Sequence, residues 1–169
     1  MQPRSGRELR AALLNVSESV RRTVRVPKRL PLGWGEADYL GWRDPSAPQR
    51  GYIIIEESGR LKGIMLTHAR LSARPSRAVM CALCRIPRRF EQVVLFTGTS
   101  EGADRSLSSR GSYLCADLDC NVRVNALRPS SPLEPSPEEL VAQRRAELRE
   151  RSHAFVAEVL ARAPITARR

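Results

Sequence analysis

Cys81-Ala82-Leu83-Cys84 and Cys115-Ala116-Asp117-Leu118-Asp119-Cys120 contain all four cysteines of the chain, in the spacing C-x2-C-x30-C-x4-C. Two close pairs set far apart match the tetrahedral coordination of Zn²⁺, which takes four thiolates at about 2.3 Å each. A C-x2-C turn offers two sulfurs from one knuckle. In the second pair, Cys115 ends the strand Ser112-Tyr113-Leu114, and Cys120 falls in the first turn of a helix, whose N-terminal dipole favours thiolate. Between the pairs, Gln92–Phe96 reads as a strand and Thr97–Arg110 as a long loop. Knuckle, hairpin and ligand-bearing helix, over residues 78–127, make a treble-clef arrangement. Cys81, Cys84, Cys115 and Cys120 are thus expected to hold one structural Zn²⁺, because four protein thiolates leave no open position for water.

Upstream, Gly51–Glu56 is rich in β-branched residues, Ser58-Gly59 supplies a turn, and Arg60–Thr67 returns, which predicts a β-hairpin over 51–67. Residues 27–50 carry Pro27, Trp34 and Trp42 among several glycines, and read as an ordered connector with one helical turn near Glu36–Leu40. Ser5-Gly6-Arg7-Glu8 is a capping box. Leu9, Leu13, Val16 and Val20 follow at helical spacing, so one N-terminal helix is expected over 5–26, ended by Pro27. Downstream, Pro129–Pro135 is a stiff linker. Ser136-Pro137-Glu138-Glu139 opens a second helix over 136–163, with an apolar stripe of Val141, Leu148, Phe155 and Val159. The fold class is therefore α+β: a small antiparallel sheet with a treble-clef zinc finger, flanked by N- and C-terminal helices, in a single domain over 1–169.

The net charge is +11, or 11 − 2 = +9 with a four-thiolate zinc site, and Lys28 and Lys62 are the only lysines. An arginine-rich surface favours an acidic partner or a nucleic-acid-containing assembly. Arg85, Arg88 and Arg89, directly after the knuckle, either offset the site's charge or contact a partner. No run is apolar enough to cross a bilayer, and the N-terminus lacks the apolar core of a secretory signal. The cytoplasm, where thiols stay reduced, is the expected location. The chain has no P-loop and no G-x-G-x-x-G. His68 and His153 lie on a strand end and a helix, Asp117 and Asp119 read as helix caps, and no nucleophile–base pair stands out. Neither enzymatic activity nor a small-molecule substrate is expected.

Gly111-Ser112-Tyr113-Leu114-Cys115-Ala116-Asp117-Leu118-x-Cys120, after Cys81-Ala82-Leu83-Cys84, resembles the treble-clef domain of elongation factor G-binding proteins, the family of the fusidic-acid-resistance proteins. Asp38-Tyr39-Leu40-Gly41-Trp42-Arg43-Asp44-Pro45 is similar to the segment before the hairpin in stand-alone members, and the likeness runs from about Glu8 to Val159. The resemblance implies a clamp that binds elongation factor G through the zinc domain and promotes its release from a stalled ribosome, without modifying the drug. It implies contact roles for Arg110, Tyr113 and Phe155, and for Leu83, which stands where an aromatic occurs in resistance proteins. Each has a plainer reading: Tyr113 as packing beside the zinc, Phe155 as core, Arg110 as a solvated loop charge. The chain departs from the resistance proteins in having one N-terminal helix in place of a helical bundle. Its loop at Gly98–Ser109 lacks the glycines expected in close stand-alone relatives, and Asn121-Val122-Arg123 diverges after the fourth cysteine. Direct binding to the ribosome or its RNA through the arginine-rich surface is the alternative function.

Overall fold

The computed structural model describes residues 3–27, 35, 37–68, 79–101, 107–127 and 135–161. The linker at 129–134, most of the connector's first half and the tail beyond 161 lie outside the described residues.

Five strands form one antiparallel sheet: β1 (Leu40–Asp44), β2 (Ala47–Glu57), β3 (Arg60–His68), β6 (Val93–Glu101) and β7 (Leu107–Cys115), in that order across the sheet. A two-stranded ribbon of β4 (Val79–Met80) and β5 (Pro87–Arg88) brackets the first cysteine pair. The helices are α1 (Gly6–Ala11), α2 (Glu18–Thr23), α3 (Cys120–Val124) and α4 (Pro137–Leu160). This is the expected α+β class.

Residues 51–55 of β2 are all buried, without the alternation of a half-exposed strand. A run buried on both faces needs cover on both. Ile53 and Ile55, with Ile64, Leu66 and Phe96, face a core shared with Leu148, Phe155, Val156 and Val159 of α4 and with the four cysteines. Tyr52 and Ile54 face a second core with Leu9, Leu13, Val24, Leu40 and Trp42. α4 lies close on the first face: a Cβ on Gly98 of β6 would fall 2.6 Å from Val159 Cγ1. Only glycine fits there.

Several elements differ from the sequence reading. The single helix expected over 5–26 is two short helices. The capping box at Ser5 and Glu8 forms, but α1 stops at Ala11. Leu13 then bridges Gly63 in extended form, with Leu14 N–H donating to the Gly63 carbonyl (2.9 Å) and Gly63 N–H to that of Ala12 (2.8 Å). Asn15 holds the break: its amide donates to the Met65 and Thr99 carbonyls (2.9 Å each) and its oxygen accepts from Met65 N–H (2.8 Å). Ser17 then caps α2 afresh. These bonds to β3 and β6 outweigh the few tenths of a kcal/mol per residue that helix propensity offers. Of the helical turn expected near Glu36–Leu40, Glu36 lies outside the described residues and Leu40 instead opens strand β1, where Leu40 and Trp42 pair with Ile54 and Tyr52 and bury inward. The Trp42 and Tyr52 rings meet at 5.0 Å. The loop expected at Thr97–Arg110 is largely a hairpin, with Thr97–Glu101 paired to Leu107–Gly111.

The C-terminal helix follows the sequence closely. Ser136 caps it, Glu139 completes the box and Pro137 takes the first turn. Its buried stripe is Leu148, Ser152, Phe155, Val156 and Val159, with Val141 only half-buried.

Candidate metal centre and its exposed rim

Cys81 and Cys84 sit on the turn between β4 and β5, Cys115 ends β7, and Cys120 begins α3. All four are buried, and their sulfurs lie within 4.8 Å of one another. The pairs Cys81–Cys120 and Cys84–Cys115 are each 3.7 Å apart at sulfur. That is far beyond a disulfide bond of about 2.05 Å. It matches the edge of a ZnS₄ tetrahedron, about 3.8 Å for bonds of about 2.3 Å. The donor set therefore fits one structural zinc.

The backbone explains the convergence. Arg85, after the knuckle, and Leu118, inside the second pair, both take positive φ (57° and 56°). Arg85 N–H bonds the Cys81 carbonyl and Leu118 N–H that of Cys115, at 2.9 Å each. Left-handed non-glycine residues persist only where surrounding structure enforces them. Both turns curl their cysteines toward one point. Ala82 N–H donates to the Tyr113 carbonyl (2.8 Å), which docks the knuckle on β7.

Four thiols so close cannot ionise independently. Hydrogen bonds from Cys115 and Cys120 pull Cys81 and Cys84 down, while bonds to Cys115, Cys81 and Cys84, with burial, push Cys120 up. A coordinated divalent cation lets all four ionise. The protein adds donors toward the sulfurs. Cys115 N–H points at Cys81 Sγ (3.3 Å), and buried Arg88 points Nη1 at Cys115 Sγ (3.6 Å). Of the three arginines after the knuckle, Arg88 is thus the one that offsets the site's charge, while Arg85 and Arg89 are exposed. Asp119 occupies the α3 cap position but makes no capping bond. It pairs instead with Arg123 (2.6 Å) and Arg88 (3.5 Å), which orients the buried guanidinium. Asp117 is exposed.

The segment at 38–43 locks onto the clef. Asn121 accepts from Asp38 N–H (2.8 Å) and donates to the Tyr39 carbonyl (2.7 Å). The buried Tyr39 hydroxyl donates to the Leu118 carbonyl (2.9 Å), and burial with the nearby Cys120 pushes its pKa well up. Arg43 donates to the Ala116 carbonyl (2.9 Å) and lies over Phe96 (5.6 Å). Arg145 and Arg149 of α4 pair with the buried Asp38 carboxylate at 3.0 and 2.9 Å. Sequence reading missed the roles of Asn121 and the Asp38 clamp, and it did not single out Arg88 from Arg85 and Arg89. Each matters through a distant partner that no local pattern announces.

The four residues assigned to partner contact fall into two groups. Leu83 (1% exposed) and Phe155 (7%) are core, and the Leu83 carbonyl accepts from Arg151 (2.6 Å). A partner could reach either side chain only by displacing that packing. Tyr113 is 41% exposed, and Arg110 is exposed too. Both lie on β7, an edge of the sheet, but they do not share a face. Arg110 pairs with Gly98, whose face meets α4, whereas Tyr113 pairs with Leu95. Met80, 48% exposed, lies on the β4–β5 ribbon, which packs near β7.

His68 packs edge-on against Phe96 at 5.8 Å. No helix among the described residues is long and apolar enough to cross a membrane.

Comparison with curated proteins finds no match. Among solved structures, the fusidic acid resistance protein FusC is similar at 23% identity, with a TM-score of 0.40 over 68% of this chain and 55% of that one. The chain thus spans about half the length of that protein. The sequence profile described as the FBP C-terminal treble-clef zinc-finger matches residues 8–159, nearly the whole chain. With four cysteines converging as such a finger requires, the chain belongs to that family, the one its two cysteine pairs first suggested.

Proposed function

We propose that this protein is a non-enzymatic, zinc-containing binder of elongation factor G that modulates the factor's release from, or action on, the ribosome. The observation that carries the reading is the half-exposed Tyr113 at the zinc-clef rim. Tyrosine and arginine are enriched at binding hot spots, and exposed methionine suits adaptable protein contacts. Tyr113 and Arg110 lie on the β7 edge, and Met80 on the neighbouring β4–β5 ribbon. Because Arg110 and Tyr113 lie on opposite faces of β7, a partner touching both straddles that edge. Four thiolates complete the zinc shell, so the metal shapes this surface and offers no open position for chemistry. A reduced four-thiolate site suits the cytoplasm, where the factor works.

The test is a calorimetric titration with elongation factor G from the same organism, at low and moderate salt. Saturable binding that survives moderate salt is expected. Tyr113→Ala should weaken it by about 1 kcal/mol or more while zinc content and fold persist. Unchanged affinity in the folded variant removes Tyr113 from the interface, and no binding by the parent chain overturns the function.

A further inference from the structure

The strongest unassigned feature lies on the far side of the molecule from the zinc. Between α1, α2 and the β1–β2 turn runs an open groove of about 790 Å³, lined by Arg10, Arg22, Thr23, Val24, Arg25 and Val26, with Ser46 at its end. A second depression of about 280 Å³ shares Arg10 and Arg22 with it and adds Arg7 and Arg21. The two form one track carrying five arginines. Among the described residues Glu18 is the only acid that lines it, and it pairs with Arg21 (3.3 Å) and Arg22 (3.5 Å). Arg10, half-buried, and Arg25, exposed, line the groove with no ion pair among the described residues. The backbone beneath is fixed: Trp42 Nε1 donates to the Arg25 carbonyl (3.0 Å), and Arg25 N–H points at Asp44 (3.4 Å). Arg50 reaches Thr23 Oγ1 (3.5 Å) from the neighbouring strand.

From this geometry we infer that the groove binds the phosphate backbone of RNA. Guanidinium forks match phosphate oxygens in pairs. Two joined depressions suit consecutive phosphates of a chain better than one isolated anion. Among the described residues the lining carries no aromatic ring, so recognition rests on the guanidinium groups and their charge. Binding is therefore electrostatic and indifferent to sequence. This site is separate from the clef rim, and the inference does not rest on elongation factor G binding.

The experiment measures fluorescence anisotropy of a labelled single-stranded RNA oligonucleotide over a salt series. It compares the parent chain with Arg10→Gln/Arg25→Gln and with Arg60→Gln/Arg89→Gln, which loses equal charge elsewhere. Each phosphate contact contributes about 0.7 to the salt slope for single strands, so the groove variant should lose about 1.4 units. Its affinity should fall at least tenfold near 0.1 M salt, with the control pair close to the parent and the titration with elongation factor G unaltered. Equal loss in both variants overturns the inference in favour of general charge attraction. An unchanged slope in the groove variant, or poly-glutamate of the same charge bound as tightly as RNA, also overturns it.

Discussion

The two halves of this molecule are held by different means. Around the clef, four cysteines, two left-handed turns and a buried arginine converge on one point where a metal belongs. Across the sheet, α1 and α2 are held by apolar contacts of Leu9, Leu13 and Val24 with Tyr52 and Ile54, and by a single asparagine stitched to two strands. Metal coordination concentrates its free energy in four named atoms. Apolar packing spreads it over many side chains, any of which could be replaced by another of similar size.

Zinc removal should have the largest effect and sets the halves apart. In Cys115→Ala, or after chelation, the clef should lose its order, because structural zinc supplies much of the folding energy of such sites. Hydrogen exchange should rise first over residues 79–124, ahead of residues 6–24. Equal protection in both states, or zinc far below one per folded chain, breaks the contrast. Acid should act in the same direction. The ligands bind as thiolates, so zinc is held at neutral pH and released as pH falls and protons compete for sulfur. Zinc content followed against pH checks this.

Leu13→Ala addresses the other half. Leu13 is fully buried, and truncating such a leucine costs about 2–5 kcal/mol. Denaturant unfolding should show that loss with zinc content unchanged. Loss of zinc in this variant would mean the halves are one cooperative unit.

Asn121→Ala probes the seam between them. It removes two buried hydrogen bonds to the backbone of residues 38 and 39 and should cost about 1–3 kcal/mol. Metal binding should survive, since Cys120 keeps its place on α3. Ser136→Ala is the smallest change, about 1 kcal/mol for a lost cap. Its partner Glu139 has a lowered pKa from the backbone and side-chain bonds of Ser136. The contribution of that carboxylate is present above its unfolded pKa and fades as pH falls through the folded one. Helix stability followed from neutral pH to strong acid should show the fading in the parent and a smaller fading in the variant, which keeps the residue 136 backbone N–H that donates to Glu139.

Legibility in the sequence follows the same division. The zinc ligands could be read directly, because metal geometry demands a residue type at a spacing. The α4 cap was equally readable, since Ser136, Pro137 and Glu139 act on their own neighbours. The break between α1 and α2 was not: Leu9, Leu13, Val16 and Val20 keep helical spacing, and only contact with Gly63 and β3 decides against a continuous helix. β1 was hidden for a similar reason. Leu40 and Trp42 are strand residues through their partners Ile54 and Tyr52, not through local propensity. At the rim, the motif led to Tyr113 and Arg110, which are exposed. It also led to Leu83 and Phe155, which are core, and burial depends on packing that a motif does not carry.

The most direct test of the proposed role is hydrogen exchange of the zinc-loaded chain with and without elongation factor G. The account predicts protection of the clef rim, residues 79–84 and 107–115, with α1 and α2 unchanged. Protection confined to α1 and α2, or none at saturating factor, would contradict it.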